Sequence, residues 1–362
     1  MTRTLAGAIG AIVLATVTAH AQPAAVPEIK FDANADFLKL PDNLYIGEAS
    51  GVAVNAAGHV FVFSRGTTTG PAYAAAAAQL LEFAPDGTFI REIGRNLYAW
   101  SFAHTVRVDP QQNIWAADKG SDMVIRFNPA GRVTMVFGRK QEASDESTEP
   151  LKHPKPPLPP IDGAFRQVTD IAWDSKGNGY ISDGYINARV GKVSPTGEWL
   201  GSFGTPGDGP GQLNTPHSIA TDAQDRIYVA DRGNRRIQVF DTDGKLVRQI
   251  TIDVPFDPNT KPAIGNKPSQ TPPVGTPQTM VAGAPWAVCI TPPPNQVLYA
   301  SDAYPGRIYK LSLEGKLLGV LGRAGKQPGE FGWIHEIACP SENTLFVAEL
   351  LNWRVQKLEL HP

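Results

Sequence analysis

Three histidines in this chain occupy one position of an internal repeat and recur in every second copy of it: His104, His217 and His335. The same column holds Ser50, Thr169 and Trp286 in the other three copies. If six copies form a ring, histidines from alternate copies lie about 120° apart around its axis. Three imidazoles that converge in this way leave one coordination position open, which is the geometry of an open metal site. We therefore predict that these histidines bind a metal ion.

The repeat that carries this column has the pattern of an antiparallel β-blade. Each of the first five copies has four apolar runs of four to six residues, separated by turns rich in Gly, Asn and Asp. Six such blades predict an all-β, six-bladed β-propeller, whose closure leaves few exposed sheet edges. The sixth copy runs out at Leu360 after three strands, so we predict that a segment around 29–40 supplies its outer strand. No stretch shows sustained helical periodicity, which excludes a mainly α fold.

Composition and the first residues indicate a compartment. The chain has 362 residues and a formal net charge of −2, with no bias towards nucleic acid. Residues 1–21 combine Arg3, an apolar run and Ala19-His20-Ala21, which is typical of a secretory signal peptide. We expect residues 22–362 to form one periplasmic or secreted propeller, and a monomer. No second apolar stretch is long enough to span a membrane.

Two further features of the chain concern its connections. Cys289 and Cys339 fall on the first strands of adjacent copies, where they form either a disulfide or two buried thiols. Three segments interrupt the repeat, at 67–79, 142–162 and 253–283, and the last two are rich in proline. Because proline cannot donate to a sheet ladder, we predict that these segments are surface loops between or within blades.

A second column places cations near the histidines. Arg65 and Arg232 occupy the same depth on copies one and four, which face each other across the ring. A substrate carboxylate would satisfy both guanidinium groups through bidentate hydrogen bonds. Tyr185 follows the same column on copy three, where a neighbouring cation would favour its phenolate and make it a candidate base. Lys119 also belongs to this column, and the sequence alone assigns it no role.

Three segments carry a family resemblance: SDGYINARV (182–190), GPGQLNTPHSIA (209–220) and VADRGNRRIQVF (229–240). They resemble the lyase domain of peptidylglycine α-amidating enzymes, within the wider class of NHL-repeat propellers. The resemblance extends over about residues 51–349. It implies that the three histidines bind zinc, that Tyr185 is catalytic, and that Arg65 and Arg232 are active-site arginines. The implied reaction cleaves a C-terminal α-hydroxyglycine to an amide and glyoxylate, so the implied substrate is a peptide or small molecule with a carboxylate.

The resemblance also implies a structural calcium ion in the channel. Its ligands would be the carboxylate of Glu336 and the backbone carbonyls of Val52 and Val106. The chain departs from the family at Ile186, where a cysteine would stand. Two alternatives stay open: a non-catalytic NHL propeller that binds a peptide or glycan, and another metal-dependent propeller enzyme such as a lactonase.

Overall fold

The computed structural model describes residues 26–66, 78–140 and 158–361, and these residues form six four-stranded antiparallel sheets. The first strands of neighbouring sheets contact one another, so they surround a central axis. This is the predicted six-bladed β-propeller, and the fold class is confirmed. The helical segment among these residues is a short 3₁₀ turn at Arg232–Asn234. No helix in the described ranges is long and apolar enough to cross a membrane.

The strands follow the repeat in chain order. Strand β1 (Lys30–Asn34) comes before the first blade. Blade 1 comprises β2 (Ala49–Val54), β3 (Val60–Ser64), β4 (Gln79–Phe83) and β5 (Phe89–Ile93). Blade 2 comprises β6 (Ala103–Val108), β7 (Ile114–Asp118), β8 (Met123–Phe127) and β9 (Val133–Gly138). Blade 3 comprises β10 (Asp170–Trp173), β11 (Gly179–Asp183), β12 (Arg189–Val193) and β13 (Trp199–Phe203).

The second half repeats the pattern. A parallel pair, β14 (Thr205–Pro206) and β15 (Gln212–Leu213), precedes blade 4. Blade 4 comprises β16 (Pro216–Thr221), β17 (Ile227–Asp231), β18 (Arg236–Phe240) and β19 (Leu246–Ile250). Blade 5 comprises β20 (Val288–Ile290), β21 (Leu298–Ser301), β22 (Ile308–Leu311) and β23 (Leu317–Leu321). A second parallel pair, β24 (Arg323–Ala324) and β25 (Glu330–Phe331), precedes the chain's last strands: β26 (Ile334–Ser341), β27 (Thr344–Glu349) and β28 (Arg354–His361).

The ring is closed by the N-terminal strand, as predicted. β1 pairs antiparallel with β28, from Lys30 opposite His361 to Asn34 opposite Lys357. It thereby becomes the fourth and outermost strand of blade 6. The strand is shorter than the segment 29–40 in which the sequence placed it, and it ends at Asn34. This pairing covers the outer edge of β28 and joins the two ends of the described chain in one sheet.

Buried carboxylates hold the blades in register. The acidic position that ends the second strand accepts hydrogen bonds from backbone amides of the loop that enters the blade. Asp118 accepts the N–H groups of Ser101 and Phe102, and Asp302 accepts that of Gly283. Since these loops lead directly into the first strands, the carboxylates fix the depth at which each first strand begins. These carboxylates have the structural role that side-chain capping of loop amides predicts.

Cys289 on β20 and Cys339 on β26 form a disulfide, so the structure selects one of the two alternatives left open by the sequence. The bond joins the first strands of blades 5 and 6, and the two cysteines are separated by 50 residues. A cross-link between two adjacent inner strands restrains the unfolded chain more than it changes the folded one.

We expect the double variant Cys289→Ser, Cys339→Ser to lose about 2–4 kcal/mol of unfolding free energy, because its unfolded state regains loop entropy. Urea denaturation of the wild type and the variant, each with and without reductant, measures this. Reductant should shift the wild-type midpoint to that of the variant and leave the variant unchanged. If reductant leaves the urea midpoint of the wild type unchanged, the disulfide between Cys289 and Cys339 is contradicted.

Of the three predicted insertions, most of the first two falls at 67–77 and 141–157, outside the described residues, as does the predicted signal peptide. The third, 253–283, is described and contains no strand. It packs on blade 5, where Arg307 donates to the carbonyls of Val254 and Pro255. A cavity of about 1280 Å³ lies between this segment and blades 5 and 6, and none of the predicted site residues lines it.

Candidate metal centre

The three predicted histidines converge on the axis. The ring centroids of His104, His217 and His335 lie 4.6–4.8 Å apart, and their candidate ligand nitrogens all lie within 4.8 Å of one another. The side chains are 0–2% exposed. The structure therefore brings together residues that are more than 100 positions apart in the chain, as the column predicted.

A local irregularity of the sheet accompanies each histidine. The register between the first two strands shifts at Ala103/Thr105, at Pro216/Ile219 and at Ile334/Glu336. The shift skips the histidine alone in blades 2 and 6 and skips His217 with Ser218 in blade 4, so each histidine stands in a bulge of the first strand. Because a β-bulge redirects the side chain of the extra residue, these bulges explain how a strand residue can point along the channel.

Each histidine is anchored by the backbone carbonyl of the residue that occupies the same column in the neighbouring blade. Nδ1 of His104 donates to the carbonyl of Thr169 at 2.7 Å, and Nδ1 of His217 donates to that of Trp286 at 2.7 Å. Nδ1 of His335 donates to the carbonyl of Ser50 at 2.6 Å. A carbonyl only accepts, so the proton is fixed on Nδ1 and the lone pair is fixed on Nε2. Histidines alternate with other residues in the column because each histidine needs the backbone carbonyl of a neighbouring blade to hold its ring.

The protonation state of the three imidazoles fits metal binding. Burial lowers the pKa of each of the three imidazoles well below its ordinary value, and neighbouring cations lower it further. They are therefore neutral, as metal ligands must be. Nε2 of His217 is buried and has no hydrogen-bond partner among the described residues. A buried unpaired acceptor is costly, and coordination of a metal ion would satisfy it.

Tyr185 lies beside the histidines. Its hydroxyl is 3.4 Å from Nε2 of His104, and its ring lies edge-on to His104 and His217. Burial alone would raise the pKa of the phenol. The neighbouring cations reverse this effect: Arg232, Lys119 and Arg65 together hold the pKa of Tyr185 below its ordinary value. The predicted base therefore stands where it can reach a group bound at the histidines.

The two arginines of the second column differ in their partners. Nη1 of Arg65 donates to Glu48 at 2.7 Å, and Nε donates to the carbonyl of Ala103 at 2.9 Å. Arg232 begins the 3₁₀ turn after β17, and its guanidinium stacks 4.1 Å from the Trp286 ring. Its Nε and Nη1 are buried without a hydrogen-bond partner among the described residues. Arg232 therefore presents two unused donors, whereas Arg65 already has a carboxylate partner.

Lys119 and Trp286 complete the site, and the sequence analysis assigned neither of them a role. The ammonium of Lys119 lies 4.0 Å from the centroid of the Tyr185 ring. Trp286 accepts the Nδ1–H of His217 through its carbonyl and supports Arg232 through its ring. Trp286 belongs to the histidine column and Lys119 to the column of Arg65 and Arg232. Membership of these columns was the sequence signal that could have identified both residues.

The residues that the resemblance assigned to calcium make other contacts. Oε2 of Glu336 accepts the N–H of Val52 at 2.9 Å and that of Val106 at 3.2 Å. Oε1 of Glu336 lies 3.0 Å from Nε of Arg107 as an ion pair, and it accepts no hydrogen bond from the described residues. Calcium takes six to eight oxygen ligands, but this carboxylate is surrounded by N–H groups and a guanidinium. A guanidinium beside the Glu336 carboxylate does not fit a calcium ion at the same place.

Similarity to known proteins agrees with the propeller fold. A family model described as NHL repeat matches residues 213–240. The rat peptidylglycine alpha-amidating monooxygenase is 31% identical over 170 residues, which are 44% of this chain and 16% of that protein. Human NHL repeat-containing protein 3 is 31% identical over 178 residues, 46% of each chain. A Caenorhabditis elegans protein named as a probable peptidyl-alpha-hydroxyglycine alpha-amidating lyase is 24% identical over 212 residues, 54% of this chain and 56% of that one.

The chain thus spans well under two thirds of the length of these curated relatives. Among solved structures, a virginiamycin B lyase from Staphylococcus aureus matches with a TM-score of 0.55 at 14% identity, over 92% of this chain and 100% of that one. A gluconolactonase from Xanthomonas campestris matches with a TM-score of 0.54 at 15% identity, over 95% and 99%. At such identity these likenesses concern the fold. The protein is a six-bladed β-propeller that contains an NHL repeat, with relatives that include amidating enzymes.

Proposed function

We propose that the protein is a zinc-dependent lyase that cleaves a C-terminal α-hydroxyglycine to an amide and glyoxylate. One observation carries the proposal: three neutral histidines with fixed Nε2 lone pairs meet a phenol of lowered pKa and an arginine with unused donors. A carbinolamide with an adjacent carboxylate has a hydroxyl for the metal and the phenol, and a carboxylate for the arginine. The similarity to proteins named as amidating enzymes supports the same reaction.

His104, His217 and His335 would hold the zinc ion through Nε2. When bound, zinc supplies a Lewis acid that lowers the pKa of a substrate hydroxyl. Tyr185 takes the proton from that hydroxyl as phenolate. The carbon–oxygen double bond of glyoxylate forms while the carbon–nitrogen bond breaks. The electron pair of the carbon–nitrogen bond goes to the amide nitrogen. The nitrogen takes up one proton, which the Tyr185 phenol can return, so atoms and charge balance.

The two arginines differ in the donors that they have available for the substrate. Arg232 binds the substrate carboxylate through Nε and Nη1, the two donors without a partner among the described residues. Lys119 adds a second positive charge above the Tyr185 ring. Arg65 remains paired with Glu48 and contributes its field to the phenolate. Arg232 therefore binds the anion and also stabilises the Tyr185 phenolate, to which Lys119 and then Arg65 contribute less.

We expect Arg232→Gln to reduce kcat/KM about 10- to 100-fold, chiefly through KM, because a hydrogen bond to a charged group contributes about 1.5–3 kcal/mol. Steady-state kinetics of glyoxylate release measure this. Arg235→Gln is the matched control, since Arg235 lies on the same turn but pairs with Asp253. A fall in kcat at unchanged KM would assign Arg232 to the chemical step instead.

One experiment tests the proposal as a whole: zinc content of the purified protein, combined with glyoxylate release from a peptide that ends in α-hydroxyglycine. About one zinc per chain with catalytic release supports it. Zinc without release points to another metal-dependent reaction, and a smaller carbinolamide such as ureidoglycolate is then the next substrate. Absence of zinc favours a non-catalytic binding propeller.

A further inference from the structure

A buried arginine stands in the channel close to the metal-binding histidines. Arg107 is the third residue after His104 on β6, and its side chain is 13% exposed. Nε donates to Oδ1 of Asp170 at 2.9 Å, and Nη2 donates to Oδ2 at 2.6 Å. This is a bidentate guanidinium–carboxylate pair between the first strands of blades 2 and 3, which is the strong form of such a bond.

The same guanidinium reaches three more blades. Nη2 of Arg107 lies 3.2 Å from Oγ of Ser218 on blade 4 and 3.5 Å from the carbonyl of Val288 on blade 5. Nε lies 3.0 Å from Oε1 of Glu336 on blade 6. Ser218 donates in turn to Asp170 at 2.9 Å. One cation therefore contacts the first strands of five blades, counting its own.

Glu336 connects this group of contacts to blade 1, the remaining blade. Its second oxygen accepts the amide N–H of Val52 on blade 1. Gly51 precedes this residue, and a Cβ there would lie 2.9 Å from Oε2 of Glu336 and 2.7 Å from the amide nitrogen of Val106. Only glycine allows the strand to approach the carboxylate this closely.

We infer that Arg107 is a built-in cation that ties the six blades together and takes the place of a structural metal ion in the channel. A divalent ion at the axis would collect oxygen atoms from several blades, and the guanidinium does so through hydrogen bonds to Asp170 and Ser218 and an ion pair with Glu336. It also supplies the positive charge that the buried carboxylates of Asp170 and Glu336 require. This inference does not depend on the proposed reaction.

The test measures thermal unfolding of the purified protein, with calcium as the probe. The wild type should show a Tm that 10 mM CaCl₂ changes by less than about 1 °C, and equilibrium dialysis should find no bound calcium. Arg107→Ala should lower Tm by about 5–15 °C, because it leaves two buried carboxylates without their cation. In this variant CaCl₂ should restore about 3–10 °C, because the ion binds the vacated position in the folded state.

Two further variants separate the roles. Arg107→Lys keeps the charge, so its Tm should lie between those of the wild type and Arg107→Ala, without a calcium response. Arg95→Ala removes an arginine that is 78% exposed and should change neither property. If Arg107→Ala is not recovered as folded protein, a calcium-insensitive Arg107→Lys supports the inference and a calcium-dependent one overturns it.

Wild-type protein that binds one calcium per chain, or whose Tm rises with calcium but not with magnesium, overturns the inference. So does a folded Arg107→Ala variant of unchanged Tm. Neither result bears on glyoxylate release, so failure here is distinguishable from failure of the proposed function.

Discussion

Replacement of His217 by alanine is expected to remove zinc and activity together. The variant leaves two imidazoles where an open zinc site needs three protein ligands. Loss of Lewis-acid catalysis of several kcal/mol corresponds to a fall in kcat of about 10³-fold or more. The anchoring carbonyl of Trp286 and the unpaired Nε2 make His217 a side chain whose described contacts fit metal binding. Metal analysis and glyoxylate release on the same sample check this.

His59→Ala is the matched control. His59 lies in the first turn of blade 1, where Nδ1 contacts Glu82 at 2.8 Å, and it should keep both zinc and turnover. Circular dichroism and the Tm of both variants show that each is folded. A folded His217→Ala protein that retains one zinc per chain would move the metal away from the histidine cluster and contradict the proposed site.

The repeat made much of this site predictable. Each copy of a repeat occupies an equivalent place in a ring, so one column fixes both the depth and the angle of its residues. That is why His104, His217 and His335 could be placed together from the sequence, although they lie on three different blades. The same reasoning placed Arg65 and Tyr185 at the rim, and the contacts around Tyr185 agree with it.

The partners of these residues could not be predicted, because a column gives a position and not a contact. The pairing of Arg65 with Glu48 and the stacking of Arg232 on Trp286 depend on side-chain conformations. Arg107 is the clearest case. It stands on a strand position that suggests solvent exposure in an alternating pattern, and only the closed ring shows that five blades surround it.

Tyr185→Phe should separate metal binding from catalysis. The substitution removes one hydroxyl, 3.4 Å from Nε2 of His104, and leaves the ring and the three histidines in place. We therefore expect unchanged zinc content, and a fall in kcat of about 10²- to 10⁴-fold, the usual contribution of a positioned general base.

Tyr180→Phe on the same blade controls for loss of a buried hydroxyl, since its phenol contacts Asp174 in the turn and not the histidines. It should lose some stability and keep kcat. Full activity in Tyr185→Phe would exclude the phenolate as base, and the proton would then have to leave through another group at the metal. Loss of zinc in Tyr185→Phe would instead give the tyrosine a structural role. The combination of retained zinc and lost turnover is the result that only a catalytic phenol explains.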